Sequence, residues 1–441
     1  MWCGLLHRCN AKDEFLTVVI RQTRVVWFNT FNFPKTEVGS GKSGAPVQTL
    51  ENLEMKKTLV AIAALAATGA FAQSSVTIDG QYDAGYANVN YKGNSVSGII
   101  NNGSTTSQIN FRGVEDLGGG LKAQFRVETD WNTTSNWGNT GVKNADGTLA
   151  AGSSFGNGEV RGGIAGGFGA VDIGAVNNSG LTAFLTGQPY GTAIGSAFRG
   201  IFSSDAASAI NASVVRFDNS VRYITPAFSG FSASLLQVKK NTAATKSNFS
   251  TTFGAYDYAG VSEYSLRYNN GPINAIYGVT KQDLTGVSVS AFTAGTAPAF
   301  GTTATADSTV ADATLKTLGA NYTYGAFKFF LLNQTAKNTL VSGAAGTLDR
   351  TSNMYSIAYT QGQHVVSAGM GTGKNNIASA ANTGNSKLTS IGYDYNLSKL
   401  SSVYVRYESI DDKGAILAAA STIDGTDTKR TKTAVGLRIG F

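Results

Sequence analysis

The chain has 441 residues, of which 14% are charged, 53 are glycine and only 6 are proline, and its net charge is +7. This composition, with 18 Tyr and 23 Phe, favours an all-β protein. No apolar run reaches the length of about twenty residues that a membrane-spanning helix needs, and the positive charge is scattered along the chain, which excludes nucleic acid as a partner.

The first predicted element is a secretory signal peptide over residues 55–72, "MKKTLVAIAALAATGAFA". It combines two lysines, an apolar run and small residues at Ala70 and Ala72, so we expect cleavage before Gln73.

Residues 1–54 precede this signal peptide, although a signal peptide normally begins a protein. We therefore interpret them as a spurious extension from a start codon assigned too early. Both cysteines, Cys3 and Cys9, lie in this extension. The expected mature chain, residues 73–441, then has no cysteine and no disulfide.

A β-hairpin is predicted over residues 107–131, "SQINFRGVEDLGGGLKAQFRVETDW". From Leu121 to Trp131, apolar and charged or polar residues alternate strictly, which places all the charge on one face of a strand. A soluble sandwich would bury the apolar face, whereas a membrane barrel would turn it toward lipid. The pattern by itself does not decide between them.

Period-two segments recur to the end of the chain and are separated by breaks that alternate between short and long. Seven tight turns are predicted near residues 115–119, 166–167, 225–230, 269–272, 324–326, 361–363 and 397–399. Eight long polar loops are predicted near residues 89–103, 132–157, 177–213, 241–258, 282–311, 338–350, 373–385 and 410–429.

Eight loops and seven turns join sixteen strands, which is the layout of an outer-membrane barrel. Because about eight strands already give a filled barrel, sixteen must enclose water, so the charged faces line the lumen. The prediction is an all-β, 16-stranded antiparallel transmembrane β-barrel. The last strand, "KTAVGLRIGF", alternates in the same way and ends on Phe441.

These segments resemble the general porins of the Gram-negative porin family, from "SSVTIDGQYDAGY" at Ser74 to Phe441. The strongest matches are "INFRGVEDLGGGLKAQFRVE", "NSVRYITPAFSGFSAS", "YDYNLSKLSSVYVRY" and "TAVGLRIGF". The resemblance implies a homotrimeric pore in the outer membrane of a Gram-negative bacterium, passing ions and small hydrophilic solutes. It also implies contact with outer-membrane lipid and lipopolysaccharide, and it makes Phe441 a signal for the outer-membrane assembly machinery.

The resemblance further implies that the third external loop, residues 177–213, folds inward to narrow the channel. Gln108 and Ala175 stand where relatives tend to carry arginine, so we expect only a weak anion preference. Asp79, Asp83, Glu128 and Asp218 are the expected partners of the arginines. The candidate pore-lining residues are Arg112, Lys122, Arg126, Glu159, Arg161, Arg199, Asp205, Arg216 and Arg222. Any one of them can instead be a solvated lumen charge that touches no permeant ion.

Other functions are less well supported by the residues. An enzyme would need a base beside a nucleophile, and the only histidine of the expected mature chain, His364, lies at a turn. We expect no cofactor, no metal and no catalytic residue. The alternatives that stay open are a substrate-specific channel, a structural or adhesive barrel, and a soluble β-sandwich.

The mature protein is expected to begin at Gln73, since the small residues at Ala70 and Ala72 form the cleavage motif. N-terminal sequencing of the protein purified from outer membranes tests this. Detection of residues 1–54 on the purified protein would show that the extension is translated and retained.

Overall fold

The computed structural model describes residues 74–91, 94–134, 155–196, 198, 201, 215–240, 260–283, 310–340, 349–375, 386–411 and 429–441. These residues form one α-helix, α1 (Ser179–Thr186), and seventeen β-strands. The strands are β1 (Ser75–Tyr91), β2 (Asn94–Asn101), β3 (Gln108–Gly118), β4 (Leu121–Asp130), β5 (Val160–Gly166), β6 (Gly169–Asn177), β7 (Arg216–Ile224), β8 (Phe231–Val238), β9 (Gly260–Asn270), β10 (Ile273–Asp283), β11 (Val310–Tyr324), β12 (Phe327–Leu340), β13 (Asp349–Gln361), β14 (His364–Asn375), β15 (Ser386–Asn396), β16 (Ser401–Asp411) and β17 (Lys429–Gly440).

All seventeen strands belong to one antiparallel sheet that closes on itself. Strand β1 pairs with β17 from Gln81 opposite Gly440 to Tyr91 opposite Arg430. Closure leaves no edge strand, so the backbone N–H and C=O groups of the wall find partners within the wall.

The closed sheet has sixteen strand positions, as predicted, because β2 and β3 share one position. Both pair with the same edge of β1, β2 with residues 84–91 and β3 with residues 75–81. The predicted loop over residues 89–103 was therefore wrong. Residues 89–91 and 94–101 belong to strands, since pairing with β1 uses backbone groups and needs no apolar side chain at this level.

The interruption between β2 and β3 has a specific cause in the carboxylate of Asp83. Its oxygens accept the backbone N–H groups of Gly103, Ser104 and Thr105, at 3.1, 2.7 and 2.7 Å, and the hydroxyl of Tyr404 at 2.6 Å. Donors that leave the β ladder at this point are thus satisfied by a side chain. Asp83 therefore organises the wall, and it forms no ion pair with an arginine among the residues that the structure describes.

The seven short turns all join consecutive strands where the sequence predicts them, and they lie together at one end of the barrel. The other seven predicted long loops fall between strands that leave and re-enter the wall at the opposite end, and most of their residues lie outside the described part of the chain. We call these the short-turn end and the long-loop end.

The apolar face of the alternating strands is the exposed one. In the predicted hairpin, Leu121 and Phe125 are 40% and 43% exposed, while Glu128 on the opposite face is buried. The same arrangement recurs around the barrel, with Tyr355 62% and Met370 70% exposed. An apolar exterior around a polar interior is the arrangement of a membrane barrel.

Helix α1 and the residues after it lie against the polar inner face. Asn178 caps the helix by accepting the backbone N–H of Leu181 at 2.7 Å, and Gly187 ends it. The following residues bury their apolar side chains against inward residues of the strands. This inner cluster consists of Phe184, Tyr190, Phe198, Ile201, Leu332, Met354, Leu388 and Ile410. No helix in the described ranges is long and apolar enough to cross a membrane.

Phe441 extends the pairing of β1 with β17 beyond the end of β17. We call this pairing, which closes the barrel, the closing seam. Gly80 and Phe441 exchange two backbone hydrogen bonds, with N···O distances of 3.0 and 3.1 Å. The phenyl ring lies so close over Gly80 that a Cβ atom there would be 2.5 Å from the ring. Glycine at position 80 therefore leaves room for the ring at the seam.

Deletion of Phe441 is expected to reduce the yield of folded barrel, because it removes two hydrogen bonds and the ring contact at the seam. The conductance of the molecules that do fold should not change, since the ring lies outside the lumen. Heat-modifiable electrophoretic mobility measures the folded fraction. Phe228→Ala, an aromatic residue 81% exposed in the turn between β7 and β8, is the control. A normal yield from the Phe441 deletion would contradict the assembly role.

Candidate pore constriction

Three of the predicted pore residues form a row on the inner face of adjacent strands. Arg112 of β3 lies directly opposite Arg126 of β4, which lies directly opposite Arg161 of β5. Like charges directly opposite each other destabilise a sheet. The row therefore requires neighbouring carboxylates.

Arg126 has two carboxylate partners. Its Nη1 lies 2.6 Å from Glu159 Oε2, and its Nη2 forms an ion pair with Glu128. Both guanidinium Nε and Nη2 also donate to Asn110 Oδ1, at 3.2 and 2.8 Å. Asn110 in turn donates to Asp79, which pairs with Arg112 at 2.6 Å. One continuous network thus links the first two arginines of the row.

Asp172 on β6 links the arginines of the two neighbouring strands, β5 and β7. One of its oxygens lies 2.7 Å from Arg161 Nη1 and the other lies 2.8 Å from Arg222 Nη2. The side chain of Gln124 donates to the same carboxylate at 3.1 Å. The sequence analysis did not single out this residue, although alternation in β6 places it on the lumen side.

Arg216 completes the group at the start of β7. Its Nη2 lies 3.9 Å from both Glu128 Oε1 and Asp130 Oδ2, and its Nη1 donates to the carbonyl of Asn157. These contacts place Arg216 nearer the long-loop end than Arg222. We call Arg126, Arg161, Arg216 and Arg222, with Glu128, Glu159 and Asp172, the arginine wall.

Burial separates the two signs of charge within the arginine wall. The side chains of Asp172, Glu159 and Glu128 are only 1%, 5% and 7% exposed. The four arginine side chains are between 14% and 22% exposed. The guanidinium groups are thus the part of the wall that solvent reaches, while the carboxylates behind them cancel much of the charge.

The remaining predicted residues are placed differently. Lys122 lies beside the short turn before β4 and forms no ion pair with the described residues, and Asp218 likewise has no ion-pair partner there. Arg199 and Asp205 lie outside the described residues. No group of metal-binding side chains of the size needed for a site occurs in the described part of the chain.

The segment after β6, of which residues 178–196, 198 and 201 are described, is attached to strands outside the arginine wall. Near its start, Glu263 of β9 accepts the backbone N–H of Ser179 at 2.6 Å, and Asn321 of β11 donates to the carbonyl of Thr186 at 2.8 Å. Gly319 permits this contact, because a Cβ atom there would meet the backbone of Ala183.

The later part of this segment contacts β13, β15 and β16. The N–H of Gly195 donates to Glu408 at 2.9 Å, and Ser390 donates to the carbonyl of Gly195 at 2.6 Å. Arg350 and Ser352 both donate to the carbonyl of Ile201. In the strand order of the closed sheet, these strands are not neighbours of β4–β7, which carry the arginine wall.

Tyr190 lies at the middle of the segment and is buried between Gly369 and Gly392 of the strand wall. Burial raises the pKa of its hydroxyl to about 12, so the residue is neutral at physiological pH. The ring acts as an apolar anchor for the segment.

The comparison with known families decides the identity of this barrel. A family model described as Gram-negative porin matches residues 58–415. The chain belongs to the Gram-negative porin family. It is therefore an outer-membrane porin, a water-filled β-barrel channel for passive diffusion, and its short turns are periplasmic while its long loops are extracellular.

Individual relatives agree with this assignment. Outer membrane porin protein 32 of Delftia acidovorans is 31% identical over 373 residues, which cover 82% of this chain and 91% of that protein. An outer membrane porin protein of Bordetella pertussis is 34% identical over 242 residues, covering 50% and 58% of the two chains. Among solved structures, the anion-selective porin from Comamonas acidovorans superposes with a TM-score of 0.63 at 25% identity, covering 84% of this chain and 100% of that one. A trimer form of OmpT from Vibrio cholerae, at 15% identity and a TM-score of 0.56, covers 83% and 99% and shares the fold.

Asp172→Asn is expected to shift the reversal potential of this porin toward anion preference, because it removes a buried negative charge that holds Arg161 and Arg222. It should also lower the free energy of unfolding by about 1–3 kcal/mol, since a charge-assisted partner is lost. Bilayer recording in a salt gradient and denaturant unfolding measure the two effects.

The matched control for this substitution is Asp394→Asn. Asp394 also pairs with an arginine, Arg406, at 2.8 Å, but it lies on β15, away from the arginine wall. An equal change of reversal potential from both variants would show that the arginine wall does not govern selectivity.

Proposed function

We propose that this porin is a general diffusion channel with a weak preference for anions, and that the arginine wall determines the preference. The observation that supports this proposal is that the carboxylates of the arginine wall are more deeply buried than its arginines. Arginine side chains are the solvent-accessible layer, so a permeating ion meets positive charge first.

The weakness of the preference follows from the carboxylates behind the arginines. Glu128, Glu159 and Asp172 lie within ion-pair distance of the guanidinium groups, so the field decays quickly with distance from the wall. Gln108, at a position where the family resemblance leads us to expect arginine, adds no charge to this side. The similarity to the anion-selective porin from Comamonas acidovorans supports the sign of the preference.

The third external loop, residues 177–213, is proposed to fold inward and narrow the channel opposite the arginine wall. Two observations support this role. The described residues of this loop contact the polar face of the strands, opposite the exposed apolar side chains. Their attachments run from β9 through β17 to β1 and β2 rather than over β3–β7. The free passage would then lie between the segment and the arginines.

The assembly proposed for this porin is a homotrimer that carries out no chemical reaction. The trimer form of OmpT, which has the same fold, supports the oligomeric state. An apolar groove on the exterior near the closing seam, lined by Ala84, Tyr86, Ile99, Val403 and Leu437 among others, offers a surface for subunit contact. We also propose signal-peptide cleavage before Gln73, recognition of Phe441 by the assembly machinery, and contact with lipopolysaccharide.

Arg216→Ala is expected to move ion selectivity toward cations more than Arg438→Ala does. Arg216 belongs to the arginine wall, whereas Arg438 faces the lumen near the short-turn end, opposite Asp83. Reversal potentials in a salt gradient measure both shifts. Equal shifts, or a cation-selective wild type, would contradict this location of the constriction. Saturable block of conductance by one class of solute would instead indicate a substrate-specific channel.

A further inference from the structure

The side chain of Tyr404 crosses the closing seam on the inner face of the barrel. Tyr404 of β16 lies opposite Gly436 of β17, which in turn lies opposite Gly85 of β1. The tyrosine is fully buried, and a Cβ atom at Gly436, Gly85 or Gly103 would collide with its hydroxyl group. These three glycines therefore leave the space through which one phenol ring reaches from β16 to β1.

The hydroxyl of Tyr404 donates to the carboxylate of Asp83, which holds the turn between β2 and β3. We call this turn, residues 102–107, the inner turn. Besides accepting the N–H groups of residues 103–105, Asp83 bonds to the inner turn through its backbone. The Ser107 hydroxyl donates to its carbonyl at 3.2 Å and accepts its N–H at 3.0 Å. Loss of a buried acceptor is costly, so the position of the inner turn depends on this carboxylate.

Arg406 of β16 makes a second link across the closing seam to the inner turn. Its Nη2 donates to the hydroxyl of Ser104 at 2.7 Å and to the carboxylate of Asp394 at 2.8 Å. The guanidinium carbon lies 5.2 Å from the centre of the Tyr404 ring, so the cation lies over the ring face. Two inward side chains of β16 thus hold the inner turn from across the closing seam.

The inner turn and the closing seam support one part of the third external loop. The hydroxyl oxygens of Thr106 and Thr192 lie 2.9 Å apart. Two residues further on, Ile194 is buried against Ala87 and Ala434, which lie opposite each other across the closing seam. Residues 192–194 of the loop therefore rest on strands β1 and β17 and on the inner turn.

These contacts join the two ends of the barrel sequence, so they exist only when the sheet is closed. Tyr404 and Asp83 are 321 residues apart in the chain, and the alanines that support the loop come from β1 and β17. The start of the same loop is attached to Glu263 and Asn321, on β9 and β11, which are not part of the closing seam. Closure of the barrel therefore builds the support for residues 192–194 but not for the start of the loop.

We propose that Tyr404 is a positioning residue for the pore constriction. Its hydroxyl fixes Asp83, Asp83 fixes the inner turn, and the inner turn fixes residues 192–194 of the third external loop. A loop that loses this support moves over a wider range and leaves a wider passage on average, so ions pass more readily. The inference rests on the proposed narrowing of the channel by this loop, and it names a residue outside the arginine wall on which the narrowing depends.

The test uses protein purified from outer membranes and begins with Tyr404→Phe. This substitution keeps the ring that fills the space over the glycines but removes the hydroxyl bonded to Asp83. The folded fraction, measured by heat-modifiable mobility, should stay close to that of the wild type. Single-channel conductance and open-channel current noise in planar bilayers should both rise. The matched control is Tyr407→Phe, which removes a hydroxyl from the outward face of β16, opposite the exposed Ile391, and should change neither quantity.

A covalent tether tests whether the effect passes through the inner turn. Thr106→Cys with Thr192→Cys places two thiols where the hydroxyl oxygens are 2.9 Å apart, and the expected mature chain has no other cysteine. Once oxidised to a disulfide, this pair should restore wild-type conductance and noise to the Tyr404→Phe protein, and reduction should reverse the rescue. Raised conductance in the cross-linked protein would overturn the proposal, as would failure of the pair to cross-link when Tyr404 is present.

Asn321→Leu separates this proposal from the narrowing on which it rests. It removes the bond to the carbonyl of Thr186 at the start of the loop, so it should raise the conductance if the loop narrows the channel. A rise with Asn321→Leu but not with folded Tyr404→Phe would overturn the role of Tyr404 and leave the narrowing intact. No rise with either variant would contradict the narrowing as well.

A second variant keeps the test decisive if Tyr404→Phe does not fold. Thr106→Val removes the hydroxyl contact with Thr192 and leaves the closing seam in place, so the folded fraction should be normal. Its open-channel noise should rise as the loop loses its contact with the inner turn. Unchanged noise in this variant would overturn the proposal.

Discussion

Backbone hydrogen bonding in a medium without water is the constraint on which the rest of this structure depends. An open sheet would expose unpaired N–H and C=O groups to lipid, so β1 must bond to β17, which it does over residues 81–91. Closure with sixteen strand positions then makes the interior too wide to be filled by side chains. The polar face has to line water and the apolar face has to meet lipid, which is the reverse of a soluble protein.

Closure also dictates the electrostatics of the lumen. Direct cross-strand pairing aligns Arg112, Arg126 and Arg161 in one row, and such a row is stable only with carboxylates close by. Glu159 and Asp172 supply them from the same wall rather than from the opposite segment. The interactions that let the arginines gather are thus the ones that limit the field they can exert on a passing ion.

The two sides of the barrel are specialised by what is attached to them. Strands β3–β7 present arginines to the lumen, whereas the inner faces of β9–β17, β1 and β2 hold the described residues after β6 through hydrogen bonds and apolar contacts. One closed sheet therefore carries both the arginine wall and the residues that hold the described part of the segment after β6.

The sequence by itself determined the features that depend on local periodicity. Alternation of apolar and charged residues identified the strands, glycine-rich breaks located the seven tight turns, and the two together led to sixteen strand positions and to inward arginines at positions 126, 161 and 222. Only the tertiary structure decided which charges meet. Asp172 bridges two arginines and Asp83 closes a break in the wall because of cross-strand register, and register depends on how the whole sheet closes. For the same reason, the polar stretch at 89–103 was predicted as a loop, but its residues 89–91 and 94–101 form paired strands. The pairing of β1 with β2 uses backbone groups, so the composition of the stretch does not indicate it.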